Sequence, residues 1–286
     1  MTQLLNALPG ALAQGLIWGV MAIGVYITYK VLDIADLTVD GSICTGAAVC
    51  TMLLLGGQSP WLALLCAVLA GVLAGAVTGL LHVGLGIPPI LAGILTQMVL
   101  WSVNLKLLGK ANQALPARTT PVLLSQMDVG GALPVLLGFC VVLVALLVLF
   151  FGTELGCALR ATGCNPVMSR AQGVNTGLMK VIGLALSNGV VALSGALLCQ
   201  YQGYTDVNMG RGAVVIGLAA VVIGQAVLGR RGGRMAVQLG GVILGAVIYY
   251  IVYQVIIFAG FDTDLLKMFS AVVVAVFLGA PHVKAQ

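Results

Sequence analysis

TELGCALRATGCNPVMSRAQGVNTGLMK, residues 153–180, is a polar island in an otherwise apolar chain. It carries Glu154, Arg160, Arg170 and Lys180. The runs on either side, 133–152 and 179–203, have the length of membrane helices, which need about 20 apolar residues. Local structure inside the island follows from helix-end chemistry. Thr153 is placed to cap a short helix opened by Glu154, whose negative charge suits a helix N-terminus. Arg160 is expected in the last turn of that helix and Gly163 at its end. Asn165 then caps a second helix with Pro166 at its first position, where the missing N–H costs nothing. This helix runs over Val167, Met168, Ser169, Arg170, Ala171 and Gln172 and stops at Gly173. Two turns are not stable alone in water, so they need packing from the bundle or from a partner. Val167 and Met168 offer an apolar knob, and Arg170 a charge. The island reads as a docking element rather than as a solvated loop with incidental helicity.

Working outward, the chain has 286 residues, of which 60% are hydrophobic and 7% charged. Its mean hydropathy is +1.13. Soluble domains carry roughly 25% charged residues, so this is an all-α polytopic membrane protein. The long runs argue against a β-barrel, whose strands alternate over about 10 residues. The first run, 9–29, has no basic residue before it and no small-residue cleavage site, and is expected to be retained. The net charge of +5 is spread over span ends and does not point to nucleic acid.

Apolar runs fall at 9–29, 41–55, 60–85, 89–108, 133–152, 179–203, 212–228, 235–259 and 264–280, about nine spans in a range of 8–10. The second and seventh are short for a crossing. With the island placed inside, the inner side receives Lys30, Arg160, Arg170, Lys180, Arg230, Arg231, Arg234 and Lys284. The outer side receives Lys106, Lys110, Arg118, Arg211 and Lys267. The bias follows the positive-inside rule and puts the N-terminus outside and the C-terminus in the cytoplasm. Segment 109–132 is then the main outer loop. Gly71, Gly75 and Gly79 share one helix face, and Gly15 with Gly19 and Gly241 with Gly245 repeat the spacing. Such faces allow close helix packing in lipid.

Two stretches interrupt the pattern: Lys30–Ser42 and Gln200–Gly212. Each follows a long span and precedes a short one. Asp36-Leu-Thr-Val-Asp-Gly41 loosely echoes Asp206-Val-Asn-Met-Gly210. The orientation puts the first at the inner side and the second at the outer side, as an inverted internal repeat would, and such interruptions point to a translocation path. Coincidence is the other reading. The candidates for a substrate pathway are Asp36, Thr38, Asp40, Gly41, Asn188, Asp206 and Asn208. Intramembrane acids are costly and tend to be functional. Against that, Asp40 is placed to cap a helix starting at Gly41. Tyr201-Gln202-Gly203-Tyr204 suits an interfacial aromatic belt. Gln97, Asn104, Asn188, Gln225 and His82 read as interhelical hydrogen-bond partners. Cys157 and Cys164 lack a neighbouring His, so no zinc site is expected. No Ser/His, Asp/Asp or H-E-x-x-H constellation falls in the spans, so the chain is not read as an enzyme.

The island resembles the cytoplasmic coupling region of permease subunits in bacterial ATP-binding-cassette (ABC) importers, in the branched-chain amino acid and ribose permease family. The matching residues are Gly156-Cys-Ala-Leu-Arg160-Ala161-Thr-Gly163-Cys-Asn165-Pro166 and Ala171-Gln-Gly173-Val174. Leu193-Ser194-Gly195-Ala196-Leu197 and Gly217-Leu-Ala219-Ala220-Val221-Val222-Ile223-Gly224 are similar to further family segments. Leu32 to Ser42 is similar to a subgroup described as tryptophan/tyrosine permeases. Where the family often has a second Gly after Gly224, this chain has Gln225.

The resemblance implies one permease domain over 1–286, with coupling region 153–180, in the bacterial inner membrane. It implies cytoplasmic ABC ATPase subunits, an extracytoplasmic substrate-binding protein and a second permease copy as partners. The coupling residues would be Glu154, Arg160, Ala161, Gly163, Asn165, Pro166, Val167, Met168, Arg170 and Gly173. The chain has no G-x-x-x-x-G-K-[ST] phosphate loop. The implied cofactors, ATP and Mg, would be bound by the partner ATPase and none by this chain. The implied solute is a small amino acid, tryptophan or tyrosine. The rival reading is a secondary transporter or channel working without an ATPase. The lack of a mid-span acid in the long runs weighs against ion coupling.

Overall fold

The computed structural model describes residues 2–116, 120–228 and 234–258, with side chains from residue 7 onward. The helices are α1 (Thr2–Tyr26, extended by a π turn, Ile27–Val31), α2 (Val39–Leu55), α3 (Pro60–Gly84), α4 (Pro89–Leu108), α5 (Val129–Gly152), α6 (Glu154–Cys164), α7 (Pro166–Ala171), α8 (Thr176–Gln202), α9 (Ala213–Leu228) and α10 (Met235–Phe258). Two three-residue strands, β1 (Asn112–Ala114) and β2 (Tyr204–Asp206), pair antiparallel. This ribbon adds a small β element to a chain read as all-α.

Among the described residues, six helices are long and apolar enough to cross a membrane, and two apolar helices, α2 and α9, are shorter. The first eight expected spans thus each hold a helix, with the second and seventh short as expected. The expected span 264–280 lies outside the described residues, as do Arg118, Arg230, Arg231, Lys267 and Lys284. Helix α5 begins earlier than its apolar run. Asp128 accepts the Gly131 N–H at 3.0 Å and caps it, and Pro134, in the second turn, leaves the Gly130 carbonyl without its helical N–H.

Contacts fix the helix directions. One end of the bundle carries α6 and α7, and the other carries the ribbon. Helix α8 runs from the island end to the ribbon end, and α1 runs against it. Ser194 donates to the Ile17 carbonyl at 2.7 Å, and Ser187 to the Gly24 carbonyl at 2.8 Å. The glycine faces are packing faces. A methyl group at Gly71 or Gly75 would collide with the Asn188 or Leu184 carbonyl, and one at Gly79 would crowd the Val181 backbone. Helix α3 therefore lies backbone to backbone on α8. Gly15 and Gly19 receive Val247 and Ile243 of α10, and Gly245 of α10 abuts the Ala220 carbonyl of α9. Without a hydrophobic drive between helices in lipid, this close approach is what holds them together.

The two interrupted segments do not stay at opposite faces. The chain leaves α1 at the island end and turns at Asp33, whose φ of 55° is tolerable for Asp. It then climbs until Asp36 meets Asn188. Asn188 stands near the middle of the 27-residue α8. Helix α2 starts there and runs toward the ribbon, where Thr51 bonds Thr205 at 2.6 Å. From the ribbon, residues 207–212 descend, and Gly210 N–H meets the Cys44 sulfur at 3.2 Å. Helix α9 starts beside Asp40 and runs toward the island end. Each interrupted segment holds the same local turn. The Thr38 N–H bonds the Asp36 carboxylate at 2.8 Å, and the Asn208 N–H bonds the Asp206 carboxylate at 2.7 Å. Asp bonding its own backbone two residues on is a compact way to close a turn.

Candidate functional site

Asp36, Thr38 and Asn188 form a buried polar layer. The Asn188 amide donates to the Asp36 carboxylate at 2.7 Å and to the Leu184 carbonyl at 2.9 Å, and it accepts from the Ser42 hydroxyl at 2.6 Å. Thr38, Thr78 and Thr96 link their hydroxyls at 2.8 and 2.9 Å. All these side chains are buried. An unpaired polar group at this depth costs several kcal/mol, and here each finds a partner on a different helix. The layer therefore locks segment 32–38 to α3, α4 and α8. The interhelical reading of Asn188 holds.

Asp40 does something else. The expectation that it caps its own helix is corrected: α2 begins at Val39, and the Asp40 carboxylate accepts N–H groups of the other short helix. Gly212 donates at 2.9 Å and Val214 at 3.1 Å. One carboxylate thus lies in the first turn of α2 and at the N-terminus of α9. The positive ends of two helix dipoles share it. The approach is close, since a side chain at Gly210 would strike the Asp40 carbonyl.

Beside this latch lies a cavity of about 560 Å³ lined by Asp40, Gly41, Cys44, Gln97, Met98, Trp101, Ser102, Asn104, Val207 and Arg211. Of the predicted pathway residues, Asp40 and Gly41 line it. Asn208 stands at its rim, where its side-chain oxygen accepts the Trp101 indole N–H at 3.4 Å. Asp206 lies on β2, and the Asn112 amide donates to it at 3.5 Å. Asp36, Thr38 and Asn188 are not among the cavity's lining residues.

Most of the opposite wall belongs to α4 and was not predicted as a pathway. Gln97, Trp101 and Asn104 follow the i, i+4, i+7 spacing of one helix face. That polar and aromatic face on an apolar helix was a usable signal. Asn104, read as an interhelical partner, has none among the described residues: it is 1% exposed and both amide groups are unpaired. Gln225 is exposed rather than buried. Tyr201 is buried, so only Tyr204 of the expected aromatic belt faces outward. His82 bonds the Ile87 carbonyl at 2.8 Å and Lys180 at 3.4 Å.

The island folds as two helices. Thr153 accepts the Gly156 N–H at 3.3 Å and Asn165 accepts the Met168 N–H at 3.0 Å, so both expected caps form. Pro166 opens α7, and Gly173 beyond its end takes φ 85°. Two details are corrected. Gly163 does not end α6, which runs to Cys164. It sits inside the helix because any side chain there would collide with the Val31 carbonyl at the end of α1. Arg160 is not in the last turn but turns back toward the start of α6, bonding the Phe151 carbonyl at 3.1 Å. Glu154, Ala161, Asn165 and Pro166 are exposed. Arg170 bonds Thr176 at 3.1 Å. Val167 and Met168 are 80% and 60% exposed.

Comparison with known proteins agrees with this architecture. Residues 8–280 match the family described as branched-chain amino acid transport system / permease component. A tyrosine transport system permease protein of Clostridioides difficile is 38% identical over 96% of this chain and 91% of its own length. An uncharacterized protein of Rickettsia prowazekii is 33% identical over 96% of this chain and 98% of its own length. An autoinducer 2 import system permease protein of Escherichia coli is 29% identical over 72% of this chain and 60% of its own length. No solved structure matches the chain. With apolar helices packed through glycine faces and a family match across nearly all its length, the chain belongs to the branched-chain amino acid transport permease family and is a multi-pass inner-membrane transport protein.

Proposed function

We propose that the chain is the permease subunit of an ATP-driven ABC importer for a small amino acid, with tyrosine or tryptophan as solute. The observation that carries the ATP coupling is the outward face of α7. A two-turn helix is held by a cap and a first-position proline, and its large apolar side chains, Val167 and Met168, face away from the bundle. Such a surface is complete only against a partner. The partner is a cytoplasmic ATPase, which binds ATP and Mg; this chain binds no cofactor and catalyses no reaction. Residues 153–180 are its coupling region, and 1–286 acts as one permease domain. ATP-driven movement of α6 would reach α1 through the contact of Gly163 with Val31 and from there segment 32–38. The ATPase must bind two permease states with different free energies for this to do work.

In this reading the island end is cytoplasmic, the N-terminus is outside and the C-terminus inside, with nine spans. Helices α1–α3 and α8–α10 form an inverted repeat. The matching turns at Asp36 and Asp206 and the opposed directions of α2 and α9 support it. Two copies of the chain and an extracytoplasmic binding protein complete the importer. The solute passes the cavity beside Asp40, Gly41 and Asn208, and the layer of Asp36, Thr38 and Asn188 fixes the segment that leads into α2. The apolar wall with a few convergent polar groups suits a zwitterionic aromatic solute, and the similarity to a tyrosine permease agrees.

The test is reconstitution in proteoliposomes with the ATPase and binding protein. Tyrosine uptake should require both proteins and ATP, and Val167→Asp with Met168→Asp should abolish ATPase binding while the permease remains folded. Uptake by the chain alone would instead establish a carrier or channel.

A further inference from the structure

We propose that Arg211 is the carboxylate anchor of a zwitterion site in the cavity between α2, α4 and residues 207–211, with Asp40 facing the ammonium of the solute and Trp101 and Met98 its side chain. The inference rests on the reading that the solute passes this cavity.

Arg211 is a cation where nothing local rewards one. It lies two residues before α9, at the positive end of that helix dipole, where a cation is disfavoured. In the orientation proposed above it is also an outer charge, against the positive-inside bias. Its backbone is settled, with the N–H bonded to the Asn208 carbonyl at 3.1 Å. Its guanidinium makes no hydrogen bond or ion pair among the described residues. The carboxylates of this region are engaged elsewhere. Asp206 accepts from the Asn208 N–H and the Asn112 amide. Asp40 accepts from the N–H groups of Gly212 and Val214.

Arg211 and Asp40 line the same cavity. The Asp40 carboxylate meets the N–H of Gly212, the residue that follows Arg211, yet the two charges form no ion pair with each other. Opposite charges on one wall, left unjoined, complement a molecule that carries both charges on one carbon. A carboxylate takes the guanidinium fork in two parallel bonds. The ammonium shares the Asp40 carboxylate, which has about four acceptor positions and uses two of them. An amine or an acid alone matches one of the two charges, and a neutral solute matches neither. The Gln97 amide on the α4 wall adds a donor and an acceptor without a hydrogen-bond partner among the described residues. Trp101 and Met98 offer aromatic and sulfur surface to the ring of an aromatic amino acid. The volume of about 560 Å³ falls within the range of small-molecule sites, roughly 300–1,000 Å³.

The site can be read by thiol labelling of the full-length permease. Met98 lines the cavity and is 65% exposed, so Met98→Cys is a tolerated reporter, and Ser102→Cys, one turn on, is a second. Labelling with an anionic or a cationic methanethiosulfonate is followed at the reporter position by peptide mass spectrometry. Adding Arg211→Gln should shift the preference toward the cationic reagent. L-Tyrosine should protect the reporter, tyramine, which lacks the carboxylate, should not, and Arg211→Gln should remove the protection by tyrosine. In the complete complex with ATPase and binding protein, Arg211→Gln should lower uptake of radiolabelled tyrosine roughly 10- to 100-fold, the size expected for losing a hydrogen bond between charged groups. Arg211→Lys, which keeps the charge without the fork, should recover part of it. The thermal midpoint should hold in both variants, because the guanidinium has no partner to lose. Wild-type uptake in Arg211→Gln, or equal protection by tyrosine and tyramine, would overturn the anchor. Absence of tyrosine uptake in the wild-type complex would defeat the wider reading of the solute, whereas protection by tyrosine that depends on Arg211 would still support the site.

Discussion

Segments 32–38 and 207–212 break the helical ladder in similar ways and end in different surroundings. Each begins near an aspartate that closes a two-residue turn, and each delivers the chain to the N-terminus of a short apolar helix. The first is sealed. Its polar side chains are paired to α3, α4 and α8. The second borders a cavity, and its hold on α2 is one carboxylate and one sulfur. Irregular backbone at membrane depth survives only when buried in protein or when lining a cavity, and this chain uses both solutions a few ångströms apart. The lesson is a division of roles: the sealed segment sets the position of α2, and the open one is the side free to respond to a solute.

That division can be broken by experiment. The largest stability loss is expected for Asn188→Leu, which leaves the Asp36 carboxylate only the Thr38 N–H and takes the acceptor from Ser42. The cost is about 3 kcal/mol, because a charged group is left buried, read as a fall in thermal midpoint in detergent. Asp40→Ala should cost less, about 1–2 kcal/mol for a lost helix cap, yet reduce uptake more than its stability loss explains. Equal effects of the two variants on stability and uptake would erase the contrast. Thr78→Val interrupts the threonine chain and should cost about 1 kcal/mol with transport nearly intact. Smallest in stability is Asn208→Ala at the cavity rim, expected near zero by thermal shift, with a changed KM as its readout.

The sequence carried much of this. Apolar run length located eight helices, and the glycine spacing at 71, 75 and 79 located a packing face. The caps at Thr153 and Asn165 were legible because a cap is a local bargain between a side chain and N–H groups two or three residues away. Gly163 was misread for the same reason. Glycine suits a helix end, but here its neighbour is the Val31 carbonyl on another helix. Likewise, nothing local to Asp40 says that its partners are Gly212 and Val214, 172 and 174 residues away. The face of Gln97, Trp101 and Asn104 was readable by periodicity, yet polar groups that bind neighbours and polar groups that wait for a ligand look alike in one dimension.

The contact of α3 on α8 has a mechanical consequence. Turning α3 about its own axis by one residue, about 100°, would bring a side chain to where Gly71 or Gly75 now lets two backbones touch. The seam thus fixes how α3 faces α8, and an opening of the bundle is expected to carry the pair as one body, with the hinge in the non-helical backbone at either end of the short helices.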